Sequence, residues 1–218
     1  MDVEVYDFDP NVPCDLYNAL EYIVNEDIYT PSELENMSNI KARYWIKIID
    51  AVKDGKIKSV NNLCNYIVNG KRIIGKTNIE RLYVFLTKYK EDKVKSEIND
   101  TSNLIFEVTG KYPTLFRPSY GSCNKMIRSV VDTPIIIWDI DTLDWKYHNS
   151  RRISSRVINK VKDGDIVLMH DIYSATANAL EIIILSLKSK GYTFVTVSDL
   201  FYYKNIPLEK GKVYGFAR

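Results

Sequence analysis

The sequence predicts an α/β fold in its C-terminal half, behind a divergent and mostly helical N-terminal segment. Two observations carry this. Beyond about residue 90, apolar runs that end in polar residues ("TLFRPSYG", "PIIIWDIDTLDW", "DIVLMHD") are separated by helical stretches. Parallel strands buried on both faces, joined by helices, read in this way. Ahead of that point, helix-start signals and 3.6-residue apolar spacing recur with little strand character. The reading divides the chain into 1–75, the helical segment, and 76–218, the α/β domain.

The elements follow in order. "VEVYDF" at 3–8 and "RII" at 72–74 are the strand-like stretches of the first part. "TPSE" at 30–33 is a capping box, with Thr30 as N-cap, Pro31 at the first helical position and Glu33 reaching back. The next helix carries Trp45, Ile48, Ile49 and Val52 on one face and stops at Gly55. Ser59 is placed to cap a helix running through Leu63, Ile67 and Val68 to Gly70. "TNIE" at 77–80 reads as a second box, opening a helix with Leu82, Phe85 and Leu86 inward. A further helix presents Val94, Ile98, Ile105 and Val108 and ends at Gly110. Strands then alternate with a helix at 176–190, and "YTFVTVSDL" closes the series.

Composition excludes several classes. With 45% hydrophobic and 27% charged residues, disorder is not expected, and a net charge of +2 argues for neither nucleic acid nor membrane. Cys14, Cys64 and Cys123 form no CxxC, so no zinc knuckle or disulfide framework is indicated. No apolar run approaches the roughly 20 residues of a membrane helix. The acidic start, "MDVEVYDFDP", has no apolar core of a signal peptide, which implies a cytoplasmic chain as given.

Chemistry concentrates at strand ends. Arg117 follows Leu115 and Phe116 and precedes a Pro118-Ser119-Tyr120-Gly121 turn, Asp141 and Asp144 follow Ile135 to Ile137, and His170 follows Leu168 and Met169. In a parallel sheet or barrel such ends converge on one rim. A carboxylate paired with a histidine holds one tautomer and raises its proton affinity, as a general acid requires. The plain alternatives are a core histidine at 170, a structural ion pair for Arg117 with Asp141 or Asp144, and a core role for Trp145.

These segments resemble the third, fourth and fifth motifs of the polysaccharide deacetylases, which run close to RPPYG, DTxDW and Leu-x-His. Here they read Arg117-Pro118-Ser119-Tyr120-Gly121, Asp141-Thr142-Leu143-Asp144-Trp145 and Leu168-Met169-His170. The likeness spans roughly 86 to 203. It implies a distorted (β/α)7 barrel that hydrolyses N-acetyl groups on a GlcNAc-containing polymer with a divalent metal, zinc or cobalt. It implies that His170 is the acid protonating the leaving amine, that Asp144 orients and charges it, and that Arg117 pairs with the catalytic base. Tyr120 would contribute its backbone N–H to the oxyanion, with Trp145 and Leu168 walling the acetyl pocket. Family members are often secreted or attached to the cell envelope.

The first two family motifs, TFDDG and HxxxH, hold the metal. This chain has two histidines, His148 and His170, and alignment puts Ile79 and Tyr83 at the metal-histidine positions. Asp7 and Asp9 are only a faint echo of the first motif. No ligand set for the metal is therefore expected, and impaired or absent turnover follows. The rival readings are a catalytically dead relative that binds a glycan or a protein partner and, more remotely, a nucleic-acid-binding helix-turn-helix around Lys71, Arg72, Lys76 and Arg81.

Overall fold

The computed structural model describes residues 16–68, 71–72 and 74–218. The strand-like run at 3–8, Asp7, Asp9, Cys14, Gly70 and Ile73 lie outside the described residues. The chain forms two compact units, Met1–Val108 with Ser122–Met126, and Thr109–Gly121 with Ile127–Arg218.

The first unit is helical. It contains α1 (Leu16–Asn25), α2 (Pro31–Ser38), α3 (Ala42–Lys53), α4 (Val60–Asn65), the antiparallel pair β1 (Ile67–Val68) and β2 (Lys71–Arg72), and most of α5 (Lys76–Thr109). The capping box at Thr30 is formed in full: its hydroxyl accepts from the Glu33 N–H, and its own N–H donates to the Glu33 carboxylate at 2.7 Å. Trp45 anchors the core, wholly buried, with Nε1–H donating to the Ser38 hydroxyl at 2.8 Å and Phe85 edge-on at 5.7 Å. A buried indole needs such an acceptor. Leu82, Phe85 and Leu86 join this core as the spacing predicts.

Several expectations need correction here. Ser59 does cap α4, but the helix ends at Asn65, because Tyr66 turns extended and β-branched Ile67 and Val68 pair with Lys71 and Arg72. That pair of strands separates α4 from α5, so the two are not the adjacent helices of a helix-turn-helix. The helix expected at Thr77 already includes Lys76, so Thr77 lies within the first turn rather than capping it. Nothing breaks it between 87 and 94, where no Gly or Pro occurs, and two expected helices are one of 34 residues. Along its last turns the apolar face is not buried, and Val108 is 87% exposed. Gly110, at φ +70°, follows the end as anticipated.

The second unit is α/β. After α6 (Lys125–Val130) come β3 (Ile135–Ile136), β4 (Ile140–Asp141), α7 (Asp144–Tyr147), α8 (Ser150–Ile158), β5 (Val167–Leu168), α9 (Ser174–Ser189), α10 (Val197–Tyr203) and β6 (Val213–Tyr214). β3 lies parallel to β6 and is bridged in parallel by Phe116, while β4 lies parallel to β5 with Ile140 opposite Val167 and Asp141 opposite Leu168. Under β4, Ile153 and Val157 of α8 meet Ala179, Ile183 and Leu187 of α9. Helix α8 is absent from the sequence reading; its signal is Asn149, whose side chain accepts from the Arg152 N–H at 3.0 Å. "YTFVTVSDL" is not a strand. The Thr196 hydroxyl caps α10 by accepting from the Asp199 N–H, which turns the run's second half helical, and Phe194 and Val195 are exposed.

Candidate active site

The parallel pair β4–β5 sets the site. The Thr142 hydroxyl donates to the Leu168 carbonyl at 2.8 Å, locking the two strand ends together. Asp141 then accepts from the Leu143 N–H at 2.8 Å, and Leu143 takes a left-handed conformation at φ +54°. This costs a leucine about 1 kcal/mol or more, and it turns the chain so that Asp144 opens α7.

Asp144 is 0% exposed and fully satisfied. Its Oδ1 meets His170 Nδ1 at 2.7 Å and accepts from the Trp145 N–H at 3.0 Å. Its Oδ2 accepts from the His170 N–H at 2.7 Å and from the Thr176 hydroxyl at 2.8 Å. Burial alone pushes the carboxyl's proton affinity up; the hydrogen bonds from His170 and Thr176, together with the nearby imidazole, outweigh it and hold Asp144 below the usual carboxylate range. Asp144 is therefore ionised at neutral pH and can only accept, so Nδ1 carries the proton shared with it. The free nitrogen of neutral His170 is Nε2, on the ring edge away from Asp144, and the side chain is 36% exposed. A buried carboxylate, an oriented imidazole and an accessible Nε2 are what proton transfer requires.

The other candidates distribute differently. Arg117 makes no ion pair with Asp141 or Asp144 among the described residues; its Nε–H donates to the Ile136 carbonyl at 3.3 Å. Asp144 is saturated by its own donors, and Asp141 accepts from the Leu143 N–H. Tyr120 stands at φ +55°, 82% exposed, in a turn closed by Gly121 N–H donating to the Pro118 carbonyl at 3.0 Å. A Cβ on Gly121 would meet the Trp138 ring at 2.6 Å, so only glycine fits there. Trp145 is 49% exposed and Leu168 half-buried. Sequence reasoning misses Thr176 and Tyr173. The Tyr173 ring lies 4.4 Å from that of His148 and 6.2 Å from that of His170.

Among the described residues, the donor set does not fit a metal. Among the described residues no three His, Cys, Asp or Glu side chains form a group that could hold an ion. His170 Nδ1 is engaged by Asp144, His148 Nε2 faces the Trp145 carbonyl at 3.1 Å, and Ile79 is buried in the helical core.

A family model for polysaccharide deacetylases matches residues 78–133. The chain is 31% identical over 185 residues to a peptidoglycan-N-acetylglucosamine deacetylase of Bacillus cereus, an alignment covering 81% of this chain and 84% of that one. The chain belongs to the polysaccharide deacetylase family. It is also 43% identical over 129 residues to the peptidoglycan-N-acetylglucosamine deacetylase PgdA of Listeria monocytogenes, covering 59% of this chain but 27% of the relative. This family member thus spans about a quarter of that longer protein's length. Among solved structures, the family 4 acetyl xylan esterase from Clostridium thermocellum in complex with a cobalt ion aligns with a TM-score of 0.55 at 32% identity, over 58% of this chain and 64% of that one. No helix among the described residues is long and apolar enough to cross a membrane.

Proposed function

We propose that this chain carries the acid-and-pocket half of a polysaccharide deacetylase and acts on the N-acetyl group of a GlcNAc-containing polymer. The observation that supports it is the Asp144–His170 pair, with the imidazole held through Nδ1 and Nε2 left for chemistry. His170 is the general acid that delivers a proton to the departing amine, and Asp144 orients the ring and stabilises its cationic form. The backbone N–H of Tyr120 contributes to the oxyanion site, Trp145 and Leu168 wall the acetyl pocket, and Arg117 occupies the position of the residue that steadies the base. The boundary of the deacetylase part at 76 lies close to the start of the family match at 78, and the alignment covering 81% of the chain extends ahead of it. The strands of that part belong to a distorted (β/α)7 barrel.

A second reading, glycan binding without hydrolysis, is favoured by the donor set of the described residues, which does not fit the family's metal. The deciding experiment measures acetate release from chito-oligosaccharides by the full chain, with and without added Zn²⁺ or Co²⁺. Release abolished by His170→Ala supports the hydrolase. Oligosaccharide binding without acetate under every condition supports the second reading instead.

A further inference from the structure

We propose that Thr176 is a positioning residue that sets, through the Asp144 carboxylate, how tightly His170 holds its proton. The inference takes its catalytic meaning from the proposed role of His170, but its physical content stands on the hydrogen bonds alone.

Thr176 is buried in the first turn of α9, and its hydroxyl donates to Asp144 Oδ2 at 2.8 Å. The other donors to this carboxylate are the backbone N–H groups of Trp145 and His170 and the His170 ring itself. Among the described residues, Thr176 is therefore the one side chain besides His170 that donates to Asp144. Asp144 is wholly buried, so no bulk water stands ready to replace it. A hydroxyl hydrogen-bonded to a buried carboxylate draws negative charge toward itself and lowers that carboxylate's affinity for a second proton donor. The second donor here is the imidazole. Thr176 thus competes with His170 for the same charge.

The contact also links α9 to both strand ends, since Asp144 follows β4 and His170 follows β5. A threonine retained only for packing would fill the same volume as valine and leave the imidazole's titration unmoved.

The test is NMR titration of the His170 ring in the full chain, where one other histidine, His148, has to be assigned apart from it. Thr176→Val is expected to raise the His170 midpoint by about 0.5 unit or more, roughly threefold in proton affinity, with Nδ1 still protonated. Thr176→Ser, which keeps the hydroxyl, is expected to stay near wild type. If the valine variant does not fold, Thr176→Ala removes the same hydroxyl with a smaller side chain. A midpoint that is unchanged or lowered, or that serine shifts as far as valine, overturns the proposal. This readout needs no turnover. Failure to release acetate would count against the hydrolase reading and leave the Thr176 result intact. Where acetate is released, the limb of the pH profile that reports His170 is expected to move upward with the same variant.

Discussion

Asp144 grips His170 twice, taking the backbone N–H on one carboxylate oxygen and the ring Nδ1 on the other, both at 2.7 Å. The two bonds fix the ring's position as well as its tautomer, because the residue is held by its main chain and its side chain from one buried anion. Replacing that anion by an amide, Asp144→Asn, removes the charge and turns one of the two acceptors into a donor. The His170 midpoint is then expected to fall by about 1 to 2 units, as loss of a close opposite charge does. Ring NMR measures it, and a midpoint within error of wild type would sink the account of the pair.

Acid should act on the same carboxylate. Burial raises the affinity of Asp144 for a proton, but the His170 and Thr176 hydrogen bonds win, and the group sits below its ordinary value. Folded protein therefore binds fewer protons here than unfolded protein does. The resulting stability is present above the unfolded value near 3.9 and is lost as pH falls through the lower folded value. In calorimetry, this contribution to the melting temperature should be constant above about pH 5 and decline below about pH 4. Asp144→Asn should lack that part of the decline; an identical acid slope would contradict it.

The pair was open to sequence reasoning for a physical reason. "DTLDW" and "LMH" each close a short apolar run, and strand ends of one parallel pair must lie side by side, which brings Asp144 to His170. Thr176 is not legible in this way, since its contact depends on where α9 starts and how its first turn faces β4. Arg117 shows the opposite failure. Its motif is present, but a guanidinium settles on whichever acceptor is near, here the Ile136 carbonyl. In the first unit, the capping box at Thr30 is a local signal and forms as read. At 67–68 and 71–72 the chain pairs as strands, and that pairing outweighs the helical spacing read through Ile67 and Val68. The exposed end of α5 shows that apolar spacing specifies a face without specifying what covers it.

The turn beside Arg117 offers a steric test. Gly121 combines φ +67° with a Trp138 ring that an added Cβ would meet at 2.6 Å. Gly121→Ala should destabilise the protein by about 1 to 3 kcal/mol through backbone strain and overpacking together. Pairing it with Trp138→Leu should recover the packing part and leave the backbone part. Denaturant unfolding of the single and double variants reads both, and a neutral Gly121→Ala would contradict the turn geometry.

In the helical unit, Trp45 carries a comparable load. Trp45→Ala should cost about 3 to 5 kcal/mol, because it opens a large cavity among residues that cannot collapse into it. Trp45→Phe should cost less in volume but strip the Ser38 hydroxyl of its indole donor. The order, alanine worse than phenylalanine, is checked by urea unfolding, and the reverse order would mean that the hydrogen bond outweighs the packing.

Metal removal tests the donor set of the described residues. His170 is committed through Nδ1 to Asp144, Ile79 is locked in the helical core, and among the described residues no third ligand joins either histidine. An ion held by so few donors binds weakly and adds little stability, since stabilisation follows the ratio of free ligand to its dissociation constant. Chelation with EDTA is therefore expected to leave the melting temperature and the His170 ring resonances unchanged, and micromolar Zn²⁺ or Co²⁺ should not shift them. A clear fall in melting temperature on chelation, restored by one equivalent of metal, would show that ligands assemble that the donor set does not reveal. His148→Gln and His170→Ala would then identify which imidazole takes part, because a site using either should lose its metal response with that substitution alone.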